Sequence, residues 1–169
     1  MTALRLTGRA RVLGDDVNTD AIIQSRRKRD SLDPKVLCRY LFEAVDPAFA
    51  TSVKPGDLLV AGKNFGCGSA MEVAATVVLG AGIPAVLATS FARTFYRNAI
   101  NNGLFPLVCE TAGISEGDDL TIEIDAEITV RNQTTGQALA VQTLAPIVRG
   151  IVLAGGLVPY FREHGEFLV

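Results

Sequence analysis

The segment from Asp57 to Gly103 constrains the chain most. Asp57-Leu58-Leu59-Val60-Ala61 follows the turn pair Pro55-Gly56 and runs into Gly62-Lys-Asn-Phe-Gly-Cys-Gly68. A short apolar run bounded by turn residues reads as a strand buried on both faces. A helix is expected from Ser69 to about Gly80, a second buried strand from Pro84 to Thr89, and a further helix from Phe91 to Asn102 that stops at Gly103. Strand, loop, helix, strand and helix in that order imply a parallel crossover, with helices covering the sheet.

The flanks add a different layer. Leu4 to Leu13 alternates as a half-buried strand does and breaks at Gly14-Asp15-Asp16. Asp33-Pro34 places a capping side chain before a proline at the first helical position, and Val36, Leu37, Tyr40 and Leu41 predict a helix to about Ala44. From Asp119 the period becomes two, with a turn at Thr134-Thr135-Gly136 and a return strand over Leu139 to Thr143, an antiparallel meander. Pro146 to Arg162 is apolar at helical spacing and interrupted by Gly155-Gly156 and Pro159, which predicts two short helices. Residues 1–169 are therefore expected to form one α/β domain.

Charge and cysteine usage narrow the function classes. A net charge of -2 and a pI near 5.4 provide no basic field for nucleic acid. Cys38, Cys67 and Cys109 form neither a CxxC pair nor a disulfide framework, which fits a reducing compartment. Met1-Thr-Ala-Leu-Arg-Leu6 lacks an apolar signal core, and no apolar run reaches the roughly 18 residues of a membrane helix, so a cytoplasmic chain without membrane contact is expected.

The loop Gly62–Gly68 brings backbone N–H groups together ahead of a helix, a setting suited to a carboxylate, with Asn64, Gly66 and Gly68 as its binding positions. It is not a nucleotide phosphate loop, because Gly62-Lys63 opens the loop instead of closing it. Ser69-Ala70-Met71-Glu72 has two readings. It is an S-x-x-E capping box, or Ser69 is an acid–base group whose alkoxide gains about 0.3–1 kcal/mol from the helix terminus. The Gly80-Ala-Gly82-Ile-Pro-Ala85 match to G-x-G-x-x-A stands between a helix and a strand, the reverse of a dinucleotide site, and reads as a turn.

Gly14-Asp-Asp-Val-Asn-Thr-Asp-Ala-Ile-Ile23, Val53-Lys-Pro-Gly-Asp57, the loop through Ser69, and Ser90-Phe-Ala-Arg-Thr-Phe-Tyr-Arg-Asn-Ala-Ile-Asn-Asn-Gly103 together resemble the small subunits of 3-isopropylmalate dehydratase and homoaconitase. The resemblance implies the aconitase C-terminal swivel domain: a swivelling β/β/α domain with a mixed sheet and a barrel-like core. It further implies a hydro-lyase of leucine biosynthesis, active only with a large subunit that carries a [4Fe–4S] cluster, and no metal or cofactor on this chain. Its substrate is a 2-hydroxy di- or tricarboxylic acid, isomerised by dehydration and rehydration.

By the same resemblance Ser69 is the base and Asp20 an acid facing the large subunit's site; the local alternative for Asp20 is an Asx turn or cap. The basic run Ser25-Arg26-Arg27-Lys28-Arg29-Asp30 falls at the family's substrate-selecting loop, so Arg26, Arg27 and Arg29 are assigned to a substrate carboxylate, with Arg93, and its helical neighbour Arg97, as further contacts; the plain alternatives are a solvated charge run and pairing with Asp or Glu. Cys67 is taken as a loop-packing residue, and the single His164 as no cluster ligand. One departure stands out: the family's Ser-Arg-Glu-His-Ala is here Ala70-Met71-Glu72-Val73-Ala74, without the arginine that pairs with a substrate carboxylate. Two alternatives follow from that loss. One is a paralogous dehydratase of another acid, such as a methylated malate, with Met71 supplying apolar surface; the other is a non-catalytic assembly or regulatory subunit.

Overall fold

The computed structural model describes residues 4–167, so Met1-Thr2-Ala3, part of the segment examined for a signal core, lie outside it. In chain order the elements are β1 (Leu4–Val12), α1 (Thr19–Ile22), α2 (Pro34–Leu37), α3 (Phe49–Ser52), β2 (Leu58–Ala61), α4 (Val73–Gly80), β3 (Ala85–Ala88), α5 (Arg93–Asn102), β4 (Phe105–Val108), β5 (Asp119–Ile124), β6 (Ile128–Asn132), β7 (Ala138–Leu139), α6 (Pro146–Leu153) and α7 (Leu157–His164). Single-turn 3₁₀ segments occupy Ser25–Arg29 and Cys38–Tyr40.

The strands form one mixed sheet in the order β4-β3-β2-β1-β5-β6-β7. β1 to β4 run parallel, and β5, β6 and β7 continue from β1 as an antiparallel meander. Its two ends approach each other. Cys109, just beyond β4, bridges to Val141, just beyond β7, and the Gln142 N–H donates to the Val108 carbonyl at 2.8 Å. The sheet thus curls into the expected barrel-like core, and little of its edges stays open to pairing with other chains.

Every residue of β2 and β3 is buried, because the two sides of these strands face two cores. Leu59, Ala61, Val86 and Ala88 pack outward against Leu37, Phe42, Ala74, Val77, Val78 and Phe95. Leu58, Val60, Ala85 and Leu87 face inward with Leu107, Leu120, Ile122, Ile124 and Val130, capped by Ile151, Val152 and Tyr160. Period-two alternation of apolar side chains on both faces produces the continuous hydrophobic runs seen in sequence.

Four expectations need correction. The return strand expected over Leu139 to Thr143 pairs with β6 only at Ala138–Leu139, and beyond it Val141 makes an isolated bridge to Cys109. The helix expected from Asp33 to Ala44 is α-helical for one turn only, to Leu37, tightens to a 3₁₀ turn over Cys38–Tyr40, and stops where Leu41 turns to ψ 120° and Phe42 adopts a left-handed φ of 57°; the Asp33 cap, on the Lys35 N–H, and Pro34 at its start do form. The second helix begins at Val73, not Ser69. Phe105–Val108, not anticipated as a strand, is the end strand β4 of the parallel half, where Pro106 is tolerated.

Candidate active site

The loops leaving β1, β2 and β3 all emerge at the carboxyl ends of parallel strands, where open α/β sheets place ligands. The first two are fastened side by side. Asp16 N–H donates to Lys63 O at 2.8 Å, Gly66 N–H to Val17 O at 2.7 Å, and Thr19 N–H to Cys67 O at 2.8 Å. Side chains continue the seam: Asn64 Nδ2 donates to Asp16 Oδ1 at 2.8 Å, Lys63 N–H to Asp15 Oδ1 at 2.7 Å, and Thr19 Oγ1 to Ser69 O at 2.8 Å. The third loop joins through Ser90, whose hydroxyl accepts from the Asn64 N–H and whose carbonyl accepts from the Phe65 N–H. Asn18, Thr19, Asp15 and Asp16 do structural work that sequence reasoning did not assign; the only signal was their place in an acidic loop that breaks the strand pattern.

This seam delivers Ser69 and Asp20 to one end of the domain. Ser69 is exposed, and no group among the described residues bonds its hydroxyl. The capping-box alternative fails on geometry. The helix begins four residues later, Glu72 occupies the cap position with helical dihedrals and no side-chain cap, and its carboxylate accepts from Asn102 Nδ2 at 3.0 Å. The same shift removes most of the helix-terminus support for an alkoxide, which fades beyond the first turn. What remains near Ser69 is backbone: the N–H groups of Gly68, Ser69 and Ala70 have no acceptor among the described residues and are free for an anion. Asp20 is exposed as well. Its Oδ1 accepts the Ser25 N–H at 3.0 Å, while Asn18, not Asp20, caps α1.

The glycine loop divides into structural and accessible positions. Gly66, at φ 80°, is buried with Phe95 where a Cβ would stand, so its role is to let β2 turn over α5. Gly68 (φ 89°), which precedes Ser69, and Asn64 (φ 57°), which is bonded to Asp16 and Ser90, are exposed.

The basic turn is folded as a 3₁₀ segment. Arg27 is committed within the protein: Nε and Nη2 donate to the two oxygens of Glu43 at 2.7 Å each, Nη1 donates to Asp30 Oδ2 at 3.1 Å, and the guanidinium stacks 3.8 Å from the Tyr40 ring. These hydrogen bonds hold the Arg27 pKa above its usual range and the Glu43 carboxyl below its own. Arg27 is therefore an anchor of the turn, in place of the substrate contact expected from sequence. Arg26 and Arg29 are exposed and pair with no carboxylate among the described residues. Arg93, at the start of α5, and Arg97 one turn on are likewise exposed, without the Asp or Glu partner considered for them.

The family model for the aconitase C-terminal domain matches residues 16–112, the stretch that contains the first loop from Asp16 on and the whole of the other two. The chain belongs to that family. Within it, this aconitase-type domain is 40% identical to a protein named 3-isopropylmalate dehydratase small subunit 2 from Archaeoglobus fulgidus, over 98% of this chain and 100% of the relative. It is 45% identical to the methanogen homoaconitase small subunit of Methanocaldococcus jannaschii (94% of this chain, 92% of the relative) and 45% identical to the isopropylmalate/citramalate isomerase small subunit of the same organism (94% of each). The crystal structure of 3-isopropylmalate dehydratase from M. jannaschii superposes with a TM-score of 0.90 at 42% identity, covering 96% of each chain.

At the position of the family arginine, this aconitase-type domain turns its side chain inward. Met71 is 4% exposed and belongs to the outer core. The expectation that Met71 supplies apolar surface to a substrate is corrected accordingly: the side chain fills the space under α4. The residues present also do not suit an iron–sulfur cluster. Cys38 Sγ bonds Lys35 O, Cys67 Sγ bonds Asp16 O at 3.4 Å, and burial pushes the Cys109 thiol up to about 12. Among the described residues, no three His, Cys, Asp or Glu side chains gather as metal ligands. No helix among them is long and apolar enough to cross a membrane.

Proposed function

We propose that this aconitase-type domain is the small subunit of a two-chain hydro-lyase of the 3-isopropylmalate dehydratase type, converting a 2-hydroxy di- or tricarboxylic acid to its positional isomer through an alkene acid. The observation that carries this reading is the pairing of the Ser69 and Asp20 loops at one end of the parallel strands, with the Ser69 hydroxyl exposed and unbonded. The names of the relatives agree with it.

Ser69 Oγ, as alkoxide, takes the proton from the carbon next to the departing hydroxyl; the C–O bond breaks with its electron pair, hydroxide leaves and the alkene forms; hydroxide then adds at the carbon that lost the proton, and Ser69 Oγ–H returns its proton to the carbon that lost the hydroxyl. The free N–H groups of Gly68, Ser69 and Ala70 hold negative charge beside that oxygen. Asp20 faces the large subunit's site. The [4Fe–4S] cluster belongs to the large subunit, where it supplies Lewis-acid activation of the leaving hydroxyl. The chain works in the cytoplasm with its large subunit and a hydroxy acid, without nucleic acid or membrane, and leucine biosynthesis is its pathway.

One observation favours a second reading. Met71 leaves no cation at the family's arginine position, a loss that typically costs on the order of 10²–10³ in rate, as expected of a subunit kept for assembly or regulation. The deciding experiment is turnover by the anaerobically reconstituted complex, with isopropylmalate, homocitrate-type acids and methylmalates, followed by ultraviolet absorbance of the alkene. Turnover that Ser69→Ala abolishes without loss of assembly supports the hydro-lyase. Rates that the chain leaves unchanged for every acid support the non-catalytic subunit.

A further inference from the structure

We propose that Asn102 is a deamidation site, and that the modification releases the segment carrying Ser69 by turning the donor that holds Glu72 into a carboxylate. The site goes beyond the hydro-lyase reading; only its consequence for turnover rests on that reading.

Asn102-Gly103 is the one Asn-Gly pair in the sequence. Asparagine amides are thermally labile, most of all before glycine, where no side chain shields the following amide nitrogen. The Gly103 nitrogen, once hydroxide has taken its proton, bonds to Asn102 Cγ; the Cγ–Nδ2 bond breaks, and the departing nitrogen takes a proton from water and leaves as ammonia. Water then opens the cyclic imide at one of its two C–N bonds, which leaves an aspartate or its β-linked isomer at position 102. Water is the only co-reactant consumed.

The fold holds this chemistry back. Asn102 is half-buried at the last position of α5. Its Nδ2 donates to Glu72 Oε1 at 3.0 Å and to Asn98 O at 2.9 Å, while the Gly103 N–H donates to Ile100 O at 3.1 Å. The turn is also closely packed, since a Cβ on Gly103 would stand 2.6 Å from the Gly155 carbonyl carbon. The amide must leave two acceptors and the nitrogen one before the new bond forms, so the reaction proceeds through local opening at the end of α5.

The product does not fit where the amide did. A carboxylate at position 102 faces the Glu72 carboxylate and the Asn98 carbonyl with no proton to give to either. It also stands at the negative end of the α5 dipole. Glu72 leads into α4 three residues after Ser69. That short segment is fixed at its start by Thr19 Oγ1 on the Ser69 carbonyl, in its middle by the buried Met71 side chain, and at its end by Asn102 on Glu72. Losing the last of these loosens the backbone that presents the free Ser69 and Ala70 N–H groups.

The test is to incubate the full chain at mildly alkaline pH and physiological temperature and to follow the mass of the tryptic peptide 98–131, fragmented to locate the gain. The gain is expected at Asn102, ahead of Asn98 and Asn101. Glu72→Ala should raise its rate about fivefold, the worth of one hydrogen bond, whereas Glu72→Gln keeps the accepting oxygen and should leave the rate unchanged. A gain that comes first at another asparagine, or equal rates in all three proteins, overturns the site. Asn102→Asp, which makes the product directly, should lower kcat of the reconstituted complex about tenfold. Asn102→Asp combined with Glu72→Gln rebuilds the bond with donor and acceptor exchanged and should recover most of that loss. An unchanged kcat in Asn102→Asp, or a double variant no better than the single one, overturns the link to Ser69. The mass gain is read without turnover, so a complex inactive toward every acid sinks the hydro-lyase reading and leaves the modification decided.

Discussion

Thr19 Oγ1 donates to the backbone carbonyl of Ser69 across 2.8 Å, so the residue beside Asp20 is bonded to the candidate base itself. Thr19 is 2% exposed, and its own N–H is committed to Cys67 O. Removing the hydroxyl leaves the main-chain seam intact and frees only the Ser69 end of it. Thr19→Val should therefore cost about 1 kcal/mol of stability, the worth of a typical hydrogen bond, and lower kcat roughly tenfold, about 1.4 kcal/mol of misplacement at the barrier. Thr19→Ser should restore both. Urea midpoints beside steady-state rates of the complex check this; a wild-type kcat in Thr19→Val would show that main-chain bonds alone place Ser69.

Gly66 and Gly117 separate backbone strain from collision. Both have positive φ, 80° and 84°, but a Cβ on Gly66 would strike Phe95 whereas one on Gly117 meets nothing within 4 Å. Gly117→Ala should cost only the left-handed conformation, about 1–2 kcal/mol. Gly66→Ala should cost at least about 2 kcal/mol more, because the ring it meets lies in a packed core. Comparable urea midpoints for the two variants would mean that Phe95 swings aside freely.

Restoring the family's arginine is the obvious repair of this chain, and the structure predicts that it fails. Met71 packs at 4% exposure among apolar side chains, so Met71→Arg places an unpaired guanidinium in the outer core. A loss of roughly 3 kcal/mol or more is expected, the range for a buried uncompensated charge, without gain in turnover. Thermal denaturation of the isolated variant gives the first answer; an unchanged midpoint together with faster turnover would show that residue 71 faces the substrate after all.

The sheet and the glycine loop were legible because their signals are local: buried apolar runs at 58–61 and 85–88, Gly103 ending a helix, and period two from Asp119. What escaped the sequence depends on partners distant along the chain. β4 carries Pro106, which argues against a strand until its place at the end of the parallel run is known. The closing bond from Gln142 to Val108, the grip of Glu43 on Arg27 and the bond from Thr19 to Ser69 span 34, 16 and 50 positions. Ser69-x-x-Glu72 shows the converse error: a valid local cap pattern is overridden because Asn102 takes Glu72 and the seam takes the Ser69 carbonyl.

Cys109 provides a test of the barrel closure through pH. It bridges to Val141 where the two sheet ends meet, is 5% exposed, and has its thiol pushed from an ordinary value of 9.0 up to about 12, first by burial and then by the charge of Glu110. Below pH 9 the thiol is protonated in folded and unfolded chains alike, and its pH-dependent contribution is fully present. Between about pH 9 and 12 the unfolded chain releases the proton while the folded one keeps it, so stability falls as pH rises. At pH 10.5 the loss should be about 1–2 kcal/mol relative to pH 8. Cys109→Ala starts less stable but lacks this slope, and every other alkaline group titrates in both proteins. The difference between their urea midpoints, measured under reductant at the two pH values, should therefore narrow on going to pH 10.5; parallel slopes would mean that solvent reaches the thiol and that the sheet ends are open there.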